Sequence, residues 1–181
     1  MLLDTPKAEL GWNARPFTLS DPDGNTYNLS DLQGKNGLLI AFICNHCPYV
    51  KSIIERFVND AKLLQAKGVN VVAISSNDYR YVPEDSPDNM REFAKTNGFT
   101  FPYLVDEEQS IARIYGAVCT PDFFGFNKTG ELQYRGRLDD ARMGDSTNRK
   151  TELLDALLQI AKTGHGPASQ HPSIGCSIKW K

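Results

Sequence analysis

The sequence predicts a mixed α/β domain with one central sheet and helices on both of its faces. Two continuous apolar runs, Leu38–Ile43 and Val69–Ser75, have the composition of strands that are buried on both sides. Segments with helical spacing of apolar residues lie between and after these runs, and a later hairpin adds an antiparallel pair. Strands that alternate with helices and then meet an antiparallel pair are typical of a mixed, two-sided sheet.

The N-terminal half of the chain supplies a hairpin, the two buried strands and two helices. Phe17–Leu29 contains two short runs around a Gly-Asn turn, which predicts a β-hairpin that extends the domain at its N-terminus. Tyr49–Lys67 has apolar residues at helical spacing, and a glycine follows where the helix is expected to stop. Pro87–Asn97 predicts a second helix, again with a glycine as its cap.

The C-terminal half continues the alternation with shorter elements. A short strand is predicted over Phe101–Val105 and a short helix over Glu108–Tyr115. Phe123–Gly136 predicts a hairpin around an Asn-Lys-Thr-Gly turn, and the apolar positions of Leu153–Ile160 predict the last helix. The segment that follows is rich in Gly, Pro and Ser, and no element is predicted there.

Length and composition indicate one ordinary globular domain. The chain has 181 residues, which we divide into a domain over 1–163 and a C-terminal tail over 164–181. A net charge of −2 gives no reason to expect nucleic acid or a membrane surface as partner. The first residues lack the pattern of a signal peptide, so we expect a cytoplasmic protein, either a monomer or a homodimer.

The segment Cys44-Asn45-His46-Cys47-Pro48 is the strongest functional signal in the chain. It follows a buried strand and precedes a predicted helix, so both thiols should lie near a helix N-terminus. Unpaired backbone N–H groups and a partial positive charge there stabilise a thiolate, which is the nucleophile of thiol chemistry. Residues three apart at a helix start are close enough for their sulfurs to bond. We therefore predict that this pair is redox-active.

Two further signatures flank the dithiol. Pro16–Lys35 contains Pro-Phe-Thr-Leu, Asp-Gly and Leu-Ser-Asp-Leu-Gln-Gly-Lys, and Tyr115–Pro121 ends in Thr-Pro before a strand. Over roughly residues 10–162 the chain resembles the AhpC/TSA redoxin branch of the thioredoxin-like superfamily. This branch is peroxiredoxin-like. The resemblance implies a thioredoxin-like fold and a cis peptide bond between Thr120 and Pro121. It also implies that Thr120 hydrogen-bonds an incoming peptide or mixed disulfide.

The resemblance leaves three functions open. The leading one is a thiol–disulfide oxidoreductase, in which Cys44 attacks a substrate disulfide and Cys47 resolves the mixed disulfide. The second is a thiol peroxidase with antioxidant activity, because the segment resembles the peroxiredoxin T-x-x-C-P motif with Cys in place of Thr. In that case Cys47 attacks the peroxide and becomes a sulfenic acid, which Cys44, Cys119 or Cys176 then resolves. The third is a copper(I) chaperone, since a dithiol beside a histidine offers soft ligands.

Two neighbours of the cysteines are candidates for tuning them. His46 is predicted to stabilise the Cys44 thiolate, against the alternative of an exposed spacer. Pro48 is predicted to shape the nucleophile's pocket, or simply to begin the helix, where its missing N–H costs little.

Cys119 and Cys176 are candidate resolving thiols. Cys119 lies two residues before the predicted cis-proline, and its alternative role is that of a small buried apolar residue. Cys176 lies in the tail, where it is either a mobile resolving cysteine or a packed side chain. Asp139, Asp140 and Arg142 follow the second hairpin, and we expect them in a solvated loop rather than at the site.

The expected partners follow from this chemistry. They are a disulfide-containing protein or a small thiol or peroxide as substrate, and a thioredoxin-like protein or glutathione as reductant. We expect no resident metal ion and no organic cofactor.

Overall fold

The computed structural model describes residues 1–181 and contains ten strands and six helices. The strands are β1 Leu2–Asp4, β2 Thr18–Ser20, β3 Thr26–Asn28, β4 Gly37–Phe42, β5 Val69–Ser75, β6 Tyr103–Val105, β7 Cys119–Thr120, β8 Asp122–Phe126, β9 Leu132–Gly136 and β10 Ile174–Ser177. The helices are α1 Leu29–Leu32, α2 Pro48–Lys51, α3 Ile54–Ala66, α4 Pro87–Thr96, α5 Ser110–Tyr115 and α6 Glu152–Thr163, with a 3₁₀ turn at Pro83–Asp85. None of the helices combines the length and the apolar character that crossing a membrane requires.

The central sheet is mixed, and the prediction of its class is confirmed. Its order is β3-β2-β6-β5-β4-β8-β9, with β4 at the junction between a parallel neighbour, β5, and an antiparallel one, β8. Every residue of β4 is buried, as its continuous apolar composition predicts. The predicted N-terminal hairpin is present as β2 and β3, which join the sheet at the edge of β6.

Alternation along β4 builds a core on each side of the sheet. Leu39 and Ala41 belong to the apolar cluster formed with α3 and α6, whereas Leu38, Ile40 and Phe42 belong to the cluster formed with α1 and α5. Because β4 is fixed on both faces, the loop that follows it has a defined position. That loop carries the Cys-x-x-Cys segment.

Two helix boundaries differ from the sequence prediction. The predicted helix over Tyr49–Lys67 is divided into α2 and α3, because the Ile53 amide bonds the Val50 carbonyl three residues back and tightens the turn there. The predicted helix over Glu108–Tyr115 begins only at Ser110, since Gln109 has a left-handed backbone with φ 60°.

The tail is the main element that sequence reasoning missed. Its strand β10 lies between β1 and β7 in a second, three-stranded antiparallel sheet. Cys176 is opposite Thr120 in this sheet, and Ser177 is opposite Cys119. The tail is therefore docked against the strand that leads into Pro121.

The prediction of a solvated loop is wrong for Asp139. Its carboxylate is buried, and it accepts hydrogen bonds from Arg56 Nε at 2.7 Å and Arg149 Nη1 at 3.2 Å. Asp140 and Arg142 are at the surface, as predicted. Two guanidinium groups thus compensate the charge of Asp139, which ties the loop to α3.

Candidate active site

The two cysteines lie between the end of β4 and the start of α2. Both side chains are fully buried, and both are free thiols. Cys47 is the residue that caps α2, and its carbonyl accepts the Val50 and Lys51 amides at 3.0 and 2.9 Å. Pro48 is the first residue of α2 and is exposed, which fits its role in beginning the helix, and its effect on the nucleophile's pocket stays a prediction.

Thr120 joins the two sulfurs to the strand before Pro121. The Thr120–Pro121 bond is cis, as the resemblance implies. Thr120 Oγ1 lies 3.2 Å from the Cys44 sulfur, and the Thr120 carbonyl oxygen lies 3.5 Å from the Cys47 sulfur. One residue therefore contacts both members of the dithiol, through its side chain and through its backbone.

Asp85 is a member of the site that the sequence did not reveal. It lies in the 3₁₀ turn after β5, and its side chain has no exposed surface. Its carboxylate accepts the backbone N–H groups of Asn45 and His46 at 2.7 and 3.2 Å, and the Asn77 side-chain amide at 2.8 Å. Asp85 thus holds the two residues between the cysteines. The segment 83–85 has no motif that would have identified it.

The hydrogen-bond partner of His46 is Asp85. Its Nδ1 lies 2.5 Å from Asp85 Oδ2, and about a quarter of its side chain is exposed. Because a ring nitrogen of His46 also lies within 4.8 Å of the Cys44 sulfur, its effect on the Cys44 thiolate stays a prediction. Asn45 is held from its other side by the Tyr103 hydroxyl, which donates to Asn45 Oδ1 at 2.9 Å.

The electrostatics distinguish the two cysteines. The pKa of Cys44 is raised well above its ordinary value by its pairing with the Cys47 sulfur, by burial and by the negative charge of Asp85. The pKa of Cys47 is lowered, chiefly by the neighbouring Cys44 thiol and further by the polar groups of Cys176 and the Val50 backbone, which outweigh the opposing effect of burial. These opposite directions favour Cys47 over Cys44 as the site of the thiolate in the reduced pair.

The structure separates the two candidate resolving thiols. Cys176 lies opposite Thr120, its side chain packs against the apolar cluster that contains both cysteines of the dithiol, and it contributes to the lowered pKa of Cys47. Cys119 precedes Thr120 in the same strand, so its side chain projects from the opposite face. It is buried, and burial raises its pKa to about 12. This geometry favours Cys176 over Cys119 as the partner of the dithiol.

Three donor side chains cluster beside the dithiol. Donor atoms of Cys44, His46 and Asp85 all lie within 4.8 Å of one another. Copper(I) prefers soft ligands, and two of these three donors are an imidazole and a carboxylate rather than sulfurs. The donor set gives no specific support to the copper chaperone, which stays a prediction.

A buried dithiol at the start of a helix, beside a Thr–cis-Pro strand on a mixed sheet, defines a thiol-dependent oxidoreductase of thioredoxin-like fold. This class contains several families that differ in how they use the two sulfurs. The chain belongs to the AhpC/TSA family, whose model matches residues 10–135.

Three known proteins show how broad the similarity is. A solved structure of an uncharacterised conserved protein from Geobacillus kaustophilus is 44% identical, covers 100% of this chain and 97% of its own, and superimposes with a TM-score of 0.93. The thiol–disulfide oxidoreductase ResA of Geobacillus thermodenitrificans is 27% identical over 68% of this chain and 67% of its own. A Mycobacterium tuberculosis protein with a provisional peroxiredoxin name is 26% identical over 89% of this chain and 92% of its own.

Proposed function

We propose that the protein is a thiol–disulfide oxidoreductase in which Cys44 and Cys47 alternate between a dithiol and a disulfide. The observation that carries this proposal is the shared contact of both sulfurs with Thr120, next to a stabilised thiolate. The relatives that are named thiol–disulfide oxidoreductases support the same reaction class. The substrate would be a disulfide-containing protein, and the reductant a thioredoxin-like protein or glutathione.

The charge distribution favours Cys47 as the first nucleophile. Its thiolate attacks a substrate sulfur, the substrate's other sulfur leaves as a thiolate, and a mixed disulfide forms on Cys47. Cys44 then attacks Cys47, which releases the substrate's second thiol and closes the Cys44–Cys47 disulfide. Asp85, close to the Cys44 sulfur, is placed to accept the proton that Cys44 must lose. This order reverses the one that the resemblance suggests.

Single-cysteine variants test the function and the order together. With Cys176→Ser as the common background, we expect Cys44→Ser and Cys47→Ser each to abolish insulin reduction, since each removes half of the disulfide. With a model disulfide, Cys44→Ser in this background should trap a mixed disulfide on Cys47, whereas Cys47→Ser should react far more slowly. Normal insulin reduction by the Cys44→Ser, Cys176→Ser protein would refute the proposed function. Faster trapping in Cys47→Ser than in Cys44→Ser, both in this background, would restore Cys44 as the first nucleophile.

A thiol peroxidase is the second candidate, and the stabilised thiolate of Cys47 favours it. Cys47 is the residue that corresponds to the attacking cysteine of the peroxiredoxin-like motif, and a relative with a peroxiredoxin name matches most of the chain. Position 44 lacks the threonine hydroxyl that would help to hold a peroxide. Stopped-flow oxidation by hydrogen peroxide separates the two functions. A rate constant no higher than that of free cysteine would exclude a dedicated peroxidase.

The proposed cellular setting is the cytoplasm. Fractionation with an antibody to the native protein would test it. Recovery outside the cytoplasm would refute this location without affecting the chemistry.

A further inference from the structure

The dithiol is covered by the protein's own C-terminal strand. Strand β10 pairs antiparallel with β7, the edge at which the resemblance implies that an incoming peptide binds. The buried strand β7 lies at the end of the three-stranded sheet, and its neighbour there is β10. Strand β10 therefore occupies the position in which an incoming substrate peptide would pair with β7. Within β10, Cys176 is the residue opposite Thr120, where the cysteine of a bound substrate would have to lie to reach the sulfurs.

Close packing and hydrogen bonds hold the tail in this position. A Cβ atom on Gly175 would lie only 1.8 Å from the Thr120 carbonyl oxygen, so a residue with a side chain could not approach β7 as closely. Ser173 Oγ donates to the Pro121 carbonyl at 2.6 Å, and the Ile178 amide donates to the Val118 carbonyl at 3.0 Å. The strand is thus fixed on both sides of Cys176.

The three thiols differ in access to solvent. Cys44 and Cys47 have no exposed surface, whereas Cys176 is partly exposed and packs against the apolar cluster that contains both of them. A reagent that meets the docked protein from outside therefore encounters Cys176 first.

We infer that Cys176 is a third redox-active cysteine, and that β10 is a tethered substrate strand that exchanges its thiol with the dithiol's disulfide. The inference rests on the proposed function, which supplies the Cys44–Cys47 disulfide. The Cys176 thiolate attacks the Cys47 sulfur, the Cys44–Cys47 bond breaks as the Cys47–Cys176 bond forms, and Cys44 leaves as a thiolate. Cys44 takes up the proton that Cys176 gave up. One disulfide is exchanged for another, so no further oxidant or reductant is consumed.

Disulfide mapping tests the inference on the full chain. Reduced Cys44→Ser protein is treated with one equivalent of diamide, quenched in acid, alkylated and digested for mass spectrometry. We expect the Cys47–Cys176 disulfide within a monomer as the main product. Wild type should give this disulfide together with Cys44–Cys47. A Cys119→Ser change in either background should leave the products unaltered.

A variant that displaces β10 from β7 provides the second test of the inference. Adding Gly175→Val to Cys44→Ser should slow formation of the Cys47–Cys176 disulfide at least about tenfold, because the two sulfurs lose their fixed proximity. Ile174→Val is the matched control in the same strand and should stay within about twofold, since it only shortens an apolar side chain. Intermolecular disulfides in place of Cys47–Cys176, or an unchanged rate with Gly175→Val, would overturn the inference.

The inference and the proposed function fail in different ways. Insulin reduction by wild type without any Cys47–Cys176 disulfide would remove only the inference. A Cys47–Cys176 disulfide in a protein that reduces no disulfide substrate would remove only the proposed function.

Discussion

Replacement of Asp85 tests the polar support beneath the dithiol. Its buried carboxylate accepts the backbone amides of Asn45 and His46 and the side-chain amide of Asn77. Asp85→Ala leaves the donors of Asn45 and Asn77 buried without a partner. At about 1–3 kcal/mol for each buried unsatisfied group, we expect a loss of roughly 2–6 kcal/mol in the free energy of unfolding.

Asp85→Asn and Glu84→Gln serve as the conservative change and the control for this loss of unfolding free energy. The asparagine keeps one oxygen for the two backbone amides, but its NH₂ group faces the Asn77 amide, so about 1–3 kcal/mol should be lost. Glu84 lies in the same turn with an exposed side chain, and Glu84→Gln should stay within about 0.5 kcal/mol of wild type. Urea unfolding of the reduced proteins at pH 7 measures all three. A loss below about 1 kcal/mol for Asp85→Ala, or an equal loss for Glu84→Gln, would refute the reasoning.

The same variants can also be compared by the pH profile of cysteine alkylation, which a purely structural role of Asp85 would not change. The negative charge of Asp85 contributes to the raised pKa of Cys44. Asp85→Asn should therefore shift the pH profile of Cys44 alkylation to lower pH, measured for each cysteine by mass spectrometry. The profile should be unchanged in Glu84→Gln. An identical Cys44 profile in wild type and Asp85→Asn would show that the carboxylate does not act on the thiol.

Three further predictions concern charge and hydrogen bonding elsewhere in the site and its support. The pKa of Cys47 is lowered in the folded state to about 4, against about 8.5 in an unfolded chain, so the native state binds fewer protons between these values. The unfolding free energy of reduced wild type, relative to Cys47→Ser, should accordingly rise with pH across this window, and a fall would contradict the assignment. Thr120→Val removes the hydroxyl beside Cys44 and should move the Cys44 alkylation profile to higher pH, while Ser177→Ala in the neighbouring strand should not. Arg149→Ala leaves the buried carboxylate of Asp60 without its ion pair and should lower the free energy of unfolding in urea by about 3–5 kcal/mol. Arg80 is exposed, and Arg80→Ala should lower it by less than about 0.5 kcal/mol.

Local patterns were sufficient for the sheet and the dithiol. The apolar runs that became β4 and β5 could only be strands buried on both faces, and their class did not depend on distant contacts. The Cys-x-x-Cys segment and the Thr120–Pro121 step are recognisable by residue type and by their order along the chain. The prediction that they meet followed from the family resemblance, and the structure confirms it.

The tail shows where local reasoning stopped. Nothing in the Gly-, Pro- and Ser-rich sequence of 164–181 favours a strand, and β10 exists because β7 and β1 offer it hydrogen-bond partners from distant parts of the chain. In the sequence, Gly175 is one of several glycines in a segment for which no element was predicted. In the structure it is the residue that lets two backbones approach.

By itself, the sequence determined the mixed sheet and the position of the dithiol at a helix start, since these depend on periodicity and on residue type. The strand that contacts the dithiol followed from the family resemblance. Only the tertiary structure decided which groups surround the sulfurs. Asp85 lies 38 residues beyond Cys47 and Cys176 lies 129 residues beyond it, and neither is marked by a motif. Their influence on the thiols is electrostatic and falls with distance in space, which the order of residues along the chain does not encode.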